Sequence, residues 1–158
     1  MAIDHEEIKA LIPHRYPMLL VDRIDHIEPG VKIIALKRVL SSDSCFTQPR
    51  SNRQNRLAYP NSLMIESMGQ ASAVLYSLSL KSRSQEASGI VLLGSITGFK
   101  FHHDVFPGDK MEHRVKISSL LSSAAVCEGS TWVGETLVAE AKRMLVLNRP
   151  SGELKKVS

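Results

Sequence analysis

Glu66 and Gln70 are the polar residues whose position in the sequence points most directly to chemistry. They lie four residues apart in the largely apolar stretch PNSLMIESMGQASAVLYSLSLK, residues 60–81, so a helix would place them on one face, a turn apart. A carboxylate is seldom buried among apolar residues unless it has a partner or a task. In that setting Glu66 could act as a general acid or base, whereas the amide of Gln70 can only donate and accept hydrogen bonds.

The same spacing allows a second interpretation, in which these side chains face solvent. Glu66, Gln70 and Ser77 would then form a narrow polar stripe along an otherwise apolar helix. Residues three and four apart share a helix face whether that face is buried or wet. The spacing alone therefore leaves both interpretations open.

The helix that carries Glu66 is expected over residues 62–80 and is expected to be buried. Apolar residues recur at intervals of three and four at Leu63, Met64, Met68, Ala71, Leu75 and Leu78. Other apolar side chains lie outside this stripe, and a helix that is apolar on most sides is usually wrapped by other elements. Pro60 favours a helix start, with Asn61 or Ser62 as the N-cap.

The remaining pattern predicts a short first helix and a run of antiparallel strands. Asp4 and Glu7 have the spacing of a capping box at the start of a helix over residues 4–11. Apolar alternation and turn signals predict strands over residues 18–28, 31–40, 89–101, 110–121, 124–133 and 135–147. The economical arrangement is one α+β domain, residues 1–158, with an antiparallel sheet wrapped around one long buried helix.

Composition favours an ordinary cytoplasmic protein. Of 158 residues, 43% are hydrophobic and 23% charged, which suits one globular domain. No apolar run reaches membrane-spanning length, and MAIDHEEIKA does not resemble a secretory signal. Cys45 and Cys127 are isolated, so reduced thiols are expected. The formal charge of +4 is too small to indicate nucleic acid, but it suits an acidic protein partner.

Three segments carry a resemblance to a known family. LIPHRYPMLLVDRIDHIEPG, LMIESMGQASAVL and FHHDVFPGDKM are similar to motifs of the β-hydroxyacyl-acyl-carrier-protein dehydratases of fatty-acid synthesis. The resemblance implies a hotdog fold, a homodimer or larger oligomer, and an acyl carrier protein as partner. It also implies removal of water from a 3-hydroxyacyl thioester by a histidine of one protomer and a glutamate of the other, without a cofactor.

The family's catalytic pair matches this sequence only in part. Glu66 and Gln70 occupy the family's helix motif. The family's Gly-His-Phe-Pro-Gly run does not occur, and Pro49 falls at the position of its histidine. No histidine lies between His26 and His102. Since proline cannot take up a proton, the resemblance supplies Glu66 as a catalytic residue but no partner for it.

The resemblance also implies which residues bind substrate. Gln70, Asn61 and Ser62 are expected to contact it, the last two at the start of the helix. Asn61 replaces a family glycine, at the point where a thioester carbonyl would approach the free N–H groups of the helix. The substitution is therefore expected to alter the oxyanion site.

Two other groups of basic residues could be functional. Arg50, Arg53 and Arg56 lie in a polar loop over residues 41–59, where they either are solvated or bind the acids and phosphate of a carrier protein. The histidines His14, His102 and His103 are interpreted as structural or surface residues. A metal site at His102 and His103 is not expected, because neighbouring side chains on a strand point to opposite faces.

Three functional hypotheses follow. The first is an active dehydratase in which another residue replaces the missing histidine. The second, which we favour, is a dehydratase-like subunit or acyl-carrier binder that is weak alone and gains a histidine from a homologous partner. The third is thioester hydrolysis with Glu66 activating water, which needs one carboxylate and no histidine.

Overall fold

The computed structural model describes residues 2–47, 57–85 and 89–150. The helices in these ranges are α1 (His5–Leu11), α2 (Ser44–Thr47) and α3 (Asn61–Ser82). The strands are β1 (Arg23–Glu28), β2 (Lys32–Arg38), β3 (Ile90–Phe101), β4 (Lys110–Leu120), β5 (Ala124–Val133) and β6 (Thr136–Arg149). The predicted α+β order is therefore confirmed.

The strands form a single antiparallel sheet across which α3 packs. The spatial order is β1-β2-β4-β5-β6-β3, and each neighbouring pair runs antiparallel. Helix α3 packs against β2, β3, β4, β5 and β6. This is the hotdog arrangement that the resemblance implied, with the sheet curled around one long helix.

Burial of α3 accounts for its sequence. Of its 22 residues, 14 are buried, and they lie on several sides of the helix. Met68, Val74 and Leu75 have no exposed surface. Burying one such side chain stabilises the fold by about 1.5–3 kcal/mol, which explains why apolar residues are not confined to one stripe.

Strand β5 passes close to α3 at a glycine. A Cβ built on Gly129 would lie 2.7 Å from the sulfur of Met68 and 3.0 Å from the terminal methyl group of Met144. Both methionines are fully buried, so they have little room to move aside. The absence of a side chain at Gly129 is what allows the sheet to approach the helix this closely.

Three details of the sequence prediction were wrong. The first strand begins at Arg23 rather than at residue 18. The N-cap of α3 is Pro60, without a side-chain cap, rather than Asn61 or Ser62, because the Pro60 carbonyl already accepts bonds from the first helical turn. The proposed solvent-facing stripe does not exist, since Gln70 is buried at 1% exposure and Ser77 at 6%.

Strand β3 lies at one edge of the sheet, beside β6. It is 12 residues long, and it exposes apolar side chains, with Leu92 at 39% and Phe101 at 38%. A long edge strand with exposed apolar residues is a site where another chain can pair. The edge lies next to the pocket described below.

Met68→Asp should unfold the protein or destabilise it by more than about 3 kcal/mol, because it would bury a charge with no partner. Met68→Leu is the matched control, since a swap of similar volume costs less than about 1.5 kcal/mol. Thermal and urea unfolding measure both. A Met68→Asp variant as stable as the parent would contradict the placement of α3 inside the sheet.

Candidate active site

Glu66 lies in the second turn of α3 at the wall of a pocket. Its side chain is 34% exposed. The carboxylate atom Oε1 accepts a hydrogen bond from Gln70 Nε2 at 2.8 Å and lies 3.1 Å from His14 Nε2. The acid predicted from the helix pattern is therefore held by two side chains, one of which comes from the N-terminal part of the chain.

The amide of Gln70 joins α3 to the segment that precedes β1. Its Nε2 donates to the carbonyl of Met18 at 2.7 Å as well as to Glu66, and its Oε1 accepts from the backbone N–H of Leu20 at 2.8 Å. The backbone partners define which atom is oxygen and which is nitrogen. Both amide hydrogens are thus used within the protomer, and they fix Glu66 relative to residues 18–20.

His14 reaches Glu66 because the preceding turn is held in place. The guanidinium of Arg15 donates to the carbonyls of Lys9 at 3.1 Å, Ile12 at 3.0 Å and His14 at 2.7 Å. These bonds satisfy carbonyl groups at and just beyond the C-terminus of α1. The sequence prediction treated His14 as structural, and no local signal in the PHRYP run could have shown its contact with a residue 52 positions later.

A second buried cluster holds the neighbouring residue, Ser67. His113 Nε2 lies 2.7 Å from Ser67 Oγ, and His113 Nδ1 lies 2.8 Å from Thr131 Oγ1. Ser67 Oγ donates to the carbonyl of Leu20, so Nε2 carries the hydrogen and Nδ1 accepts from Thr131. Every polar atom of the cluster is satisfied in that arrangement. It fixes the helix turn that carries Glu66 against β4 and β5.

Burial keeps His113 neutral. The pKa of its imidazole is lowered to about 3, because the charged form would lose its hydration. His113, Ser67 and Thr131 have no exposed surface. The cluster resembles a nucleophile–base pair in its atoms, but without access to substrate it serves to position the helix.

The pocket beside Glu66 has a volume of about 260 Å³. Its wall on the helix side is formed by Glu66, Gly69, Gln70 and Ala73, and the other walls are formed by Pro13, His14 and residues Ile90, Val91, Leu92 and Leu93 of β3. The lining combines the polar side chains of His14, Glu66 and Gln70 with apolar residues of α3 and β3. A small thioester with an acyl chain likewise combines a polar group with an apolar one.

Two further predicted site residues lie outside the pocket. Asn61 and Ser62 are exposed in the first turn of α3 and are not part of the pocket wall. Arg50, Arg53 and Arg56 fall outside the described residues. Their predicted contacts with substrate or carrier protein remain predictions.

His102 and His103 are not part of the pocket wall. They are exposed, and no group of three metal-ligating side chains occurs within residues 2–47, 57–85 and 89–150. Larger depressions of the surface, including one of about 620 Å³ near the starts of α1 and β1, do not have Glu66 in their walls. Another depression, of about 440 Å³, lies over β4, β5 and β6, lined by charges of both signs and by Trp132. Its wall includes neither Glu66 nor His14, so we place the chemistry in the smaller pocket.

The fold and the sequence together place the chain in the FabA-like class. The model of the FabA-like domain matches residues 12–142, and the chain belongs to that family. The 3-hydroxyacyl-acyl-carrier-protein dehydratase FabZ of Clostridium kluyveri is 35% identical over 142 residues, covering 90% of this chain and 94% of that protein. The FabZ dehydratase of a Nitratiruptor species is 38% identical over 148 residues, covering 91% and 98%.

Solved structures confirm the fold. The dehydratase heterocomplex ApeI:P from Xenorhabdus doucetiae matches with a TM-score of 0.79 at 18% identity, covering 95% of each chain. The PaaI protein of Escherichia coli matches with a TM-score of 0.60 at 12% identity, covering 82% of this chain and 79% of that one. None of the helices in the described part of the chain combines the length and apolarity needed to cross a bilayer.

His113→Gln should make the protein less sensitive to acid. The folded-state pKa of about 3 lies below the unfolded value near 6.5, so the unfolded state binds the extra proton between these pH values. The stability of the parent should therefore fall as the pH drops below about 6.5, by up to about 1.4 kcal/mol per unit more than that of the variant.

Urea unfolding at several pH values between 7.5 and 4 measures this difference. His26→Asn, at an exposed position of β1, is the control and should keep the pH dependence of the parent. Parallel pH profiles for the parent and His113→Gln would show that His113 does not titrate in this way.

Proposed function

We propose that this chain is a subunit of a 3-hydroxyacyl thioester dehydratase that contributes Glu66, and that a homologous subunit contributes the histidine. The observation that carries the proposal is that the chain keeps one half of the dehydratase active site and lacks the other. Glu66 and Gln70 stand in a pocket of suitable polarity, yet the sequence has no histidine between His26 and His102.

The chemistry explains why half a site is not enough. Dehydration needs a base for the C2 proton and an acid that protonates the departing 3-hydroxyl group. Each such group contributes about 10²–10⁴-fold to the rate, which corresponds to about 3–5 kcal/mol of barrier lowering. Glu66 can serve one function at a time, and Gln70 has no proton to transfer at neutral pH.

The position of the pocket supports a shared site. Four consecutive residues of β3, Ile90 to Leu93, line it, and β3 is an edge strand. A second subunit that paired with this edge would lie close to Glu66. The exposed apolar side chains of β3, among them Leu92, would be buried by such a pairing.

The relatives support the proposed thioester substrate and the proposed pairing with a second subunit. The FabZ relatives are named as dehydratases of 3-hydroxyacyl groups on acyl carrier protein, and ApeI:P is a dehydratase heterocomplex. We extend both statements to this chain, with a cytoplasmic acyl carrier protein as partner. Arg50, Arg53 and Arg56 are the residues we assign to its acidic surface, and the formal charge of +4 agrees with that assignment.

The purified chain alone should hydrate a crotonyl thioester at least about 100-fold more slowly than a histidine-bearing FabZ, because one proton-transfer group is missing. Loss of the enoyl absorbance measures the rate. Adding a histidine-bearing FabZ homologue should give activity above that of the homologue alone, and Glu66→Gln in this chain should remove the gain.

Two results would contradict the proposal. One is full activity of the chain alone that Glu66→Gln abolishes, which would show that another of its residues replaces the histidine. The other is the absence of both a complex and any gain on mixing. Hydrolysis of an acyl thioester by the chain alone, lost in Glu66→Gln, would instead favour a thioesterase.

The chain should be at least a dimer in solution, because the apolar edge of β3 would otherwise remain exposed. Light scattering coupled to gel filtration should give a mass of twice 17.5 kDa or more at micromolar concentration. Leu92→Lys should shift the equilibrium toward the monomer, whereas His26→Asn on the exposed surface of β1 should not. A parent that remains monomeric would rule out this use of β3.

A further inference from the structure

We propose that Glu66, held by His14 of the same protomer, is by itself a base for the C2 proton of an acyl thioester. The chain would then catalyse exchange of that proton with solvent without a histidine from a partner. The inference rests on the proposed function in one respect, that the pocket accepts an acyl thioester. It adds an activity of the chain alone and a positioning role for His14.

The arrangement of the donors leaves one carboxylate oxygen available. Both Gln70 Nε2, at 2.8 Å, and His14 Nε2, at 3.1 Å, lie against Oε1 of Glu66. In the described part of the chain, Oε2 has no hydrogen-bond donor. Two donors on one oxygen fix the plane of the carboxylate, so Oε2 can be directed at a reacting C–H group.

The surroundings of Nδ1, the other ring nitrogen of His14, indicate which ring nitrogen carries the hydrogen. Nδ1 is buried and has no hydrogen-bond partner among the described residues. A buried N–H group without an acceptor is more costly than a buried ring nitrogen whose lone pair lacks a donor. We therefore assign the hydrogen to Nε2, which donates it to Glu66, so His14 positions Glu66 and does not itself contact the substrate.

Positioning of this kind requires a rigid support, and the structure provides one on each side. Arg15 holds the turn that carries His14 through three carbonyl groups. Gln70 holds the helix side through the backbone of Met18 and Leu20. Neither His14 nor Glu66 needs to move to form the contact, so the carboxylate is organised before substrate arrives.

The exchange reaction balances without a further reactant. The C2–H bond breaks, its proton passes to Oε2 of Glu66, and its electron pair delocalises into the thioester carbonyl as an enolate. The protonated carboxyl group then exchanges its hydrogen with solvent and returns a solvent hydrogen to C2. Since no 3-hydroxyl group leaves, the second proton-transfer group of dehydration is not needed.

The test uses butyryl-N-acetylcysteamine in D₂O, a thioester that has C2 hydrogens and no 3-hydroxyl group. Loss of the C2 proton signal in NMR spectra gives the exchange rate, and saturation transfer in the same samples reports binding. The parent should exchange C2 hydrogens faster than buffer does. Glu66→Gln should fall to the buffer rate, because an amide cannot accept the proton.

Variants of His14 separate positioning from packing. His14→Ala should slow exchange about 100-fold, the cost of a misplaced reacting group. His14→Gln places an N–H group where Nε2 lies, and it should stay within roughly 10-fold of the parent, the scale of one hydrogen bond. His26→Asn should exchange like the parent, and circular dichroism should show each variant folded.

The outcomes distinguish this inference from the function on which it rests. Binding without exchange in the parent would overturn the inference and leave the shared dehydratase site intact. Equal losses in His14→Ala and His14→Gln would show that the ring only packs in the turn, which also overturns it. Absence of thioester binding would contradict the proposed function itself.

Discussion

One buried amide holds the site together. Gln70 is almost completely buried. Its Oε1 accepts a hydrogen bond from a backbone N–H group, and its Nε2 donates to a backbone carbonyl and to the carboxylate of Glu66. A buried polar group that lost one of these partners would cost about 1–3 kcal/mol. The position of residues 18–20 relative to α3 therefore depends on Gln70, and the contact between His14 and Glu66 depends on that position.

The helix turn that carries Glu66 is fixed from two directions. Gln70 connects it to the N-terminal segment, and Ser67 connects it through His113 to the sheet. Leu20 takes part in both connections, since its N–H donates to Gln70 and its carbonyl accepts from Ser67. Polar networks of this kind specify a unique arrangement when every member is satisfied, and here the arrangement they specify is that of the carboxylate.

The sequence predicted the fold far better than the site. Hydrophobic periodicity and turn residues depend on neighbours in the chain, so the bounds of α3 and β5 were predicted to within a residue or two. Site contacts join residues that are distant in sequence. His14 contacts Glu66, 52 positions later in the chain, and no residue near His113 in the sequence indicates that its ring would bond to Ser67. The interpretation of Gln70 as solvent-facing failed because two of its three hydrogen-bond partners are backbone groups of Met18 and Leu20, which no side-chain pattern reveals.

Gly69 and Gly129 both face a side chain across the helix–sheet interface, but they differ in how well an alanine would be tolerated. A Cβ at Gly129 would meet the buried sulfur of Met68, whereas a Cβ at Gly69 would meet the methyl end of Leu93 at 2.9 Å. Leu93 is only half-buried at the edge strand, so it can rotate away. Alanine at position 69 would therefore narrow the pocket beside Glu66 with little strain. Alanine at position 129 would be tolerated only together with a smaller residue in place of Met68.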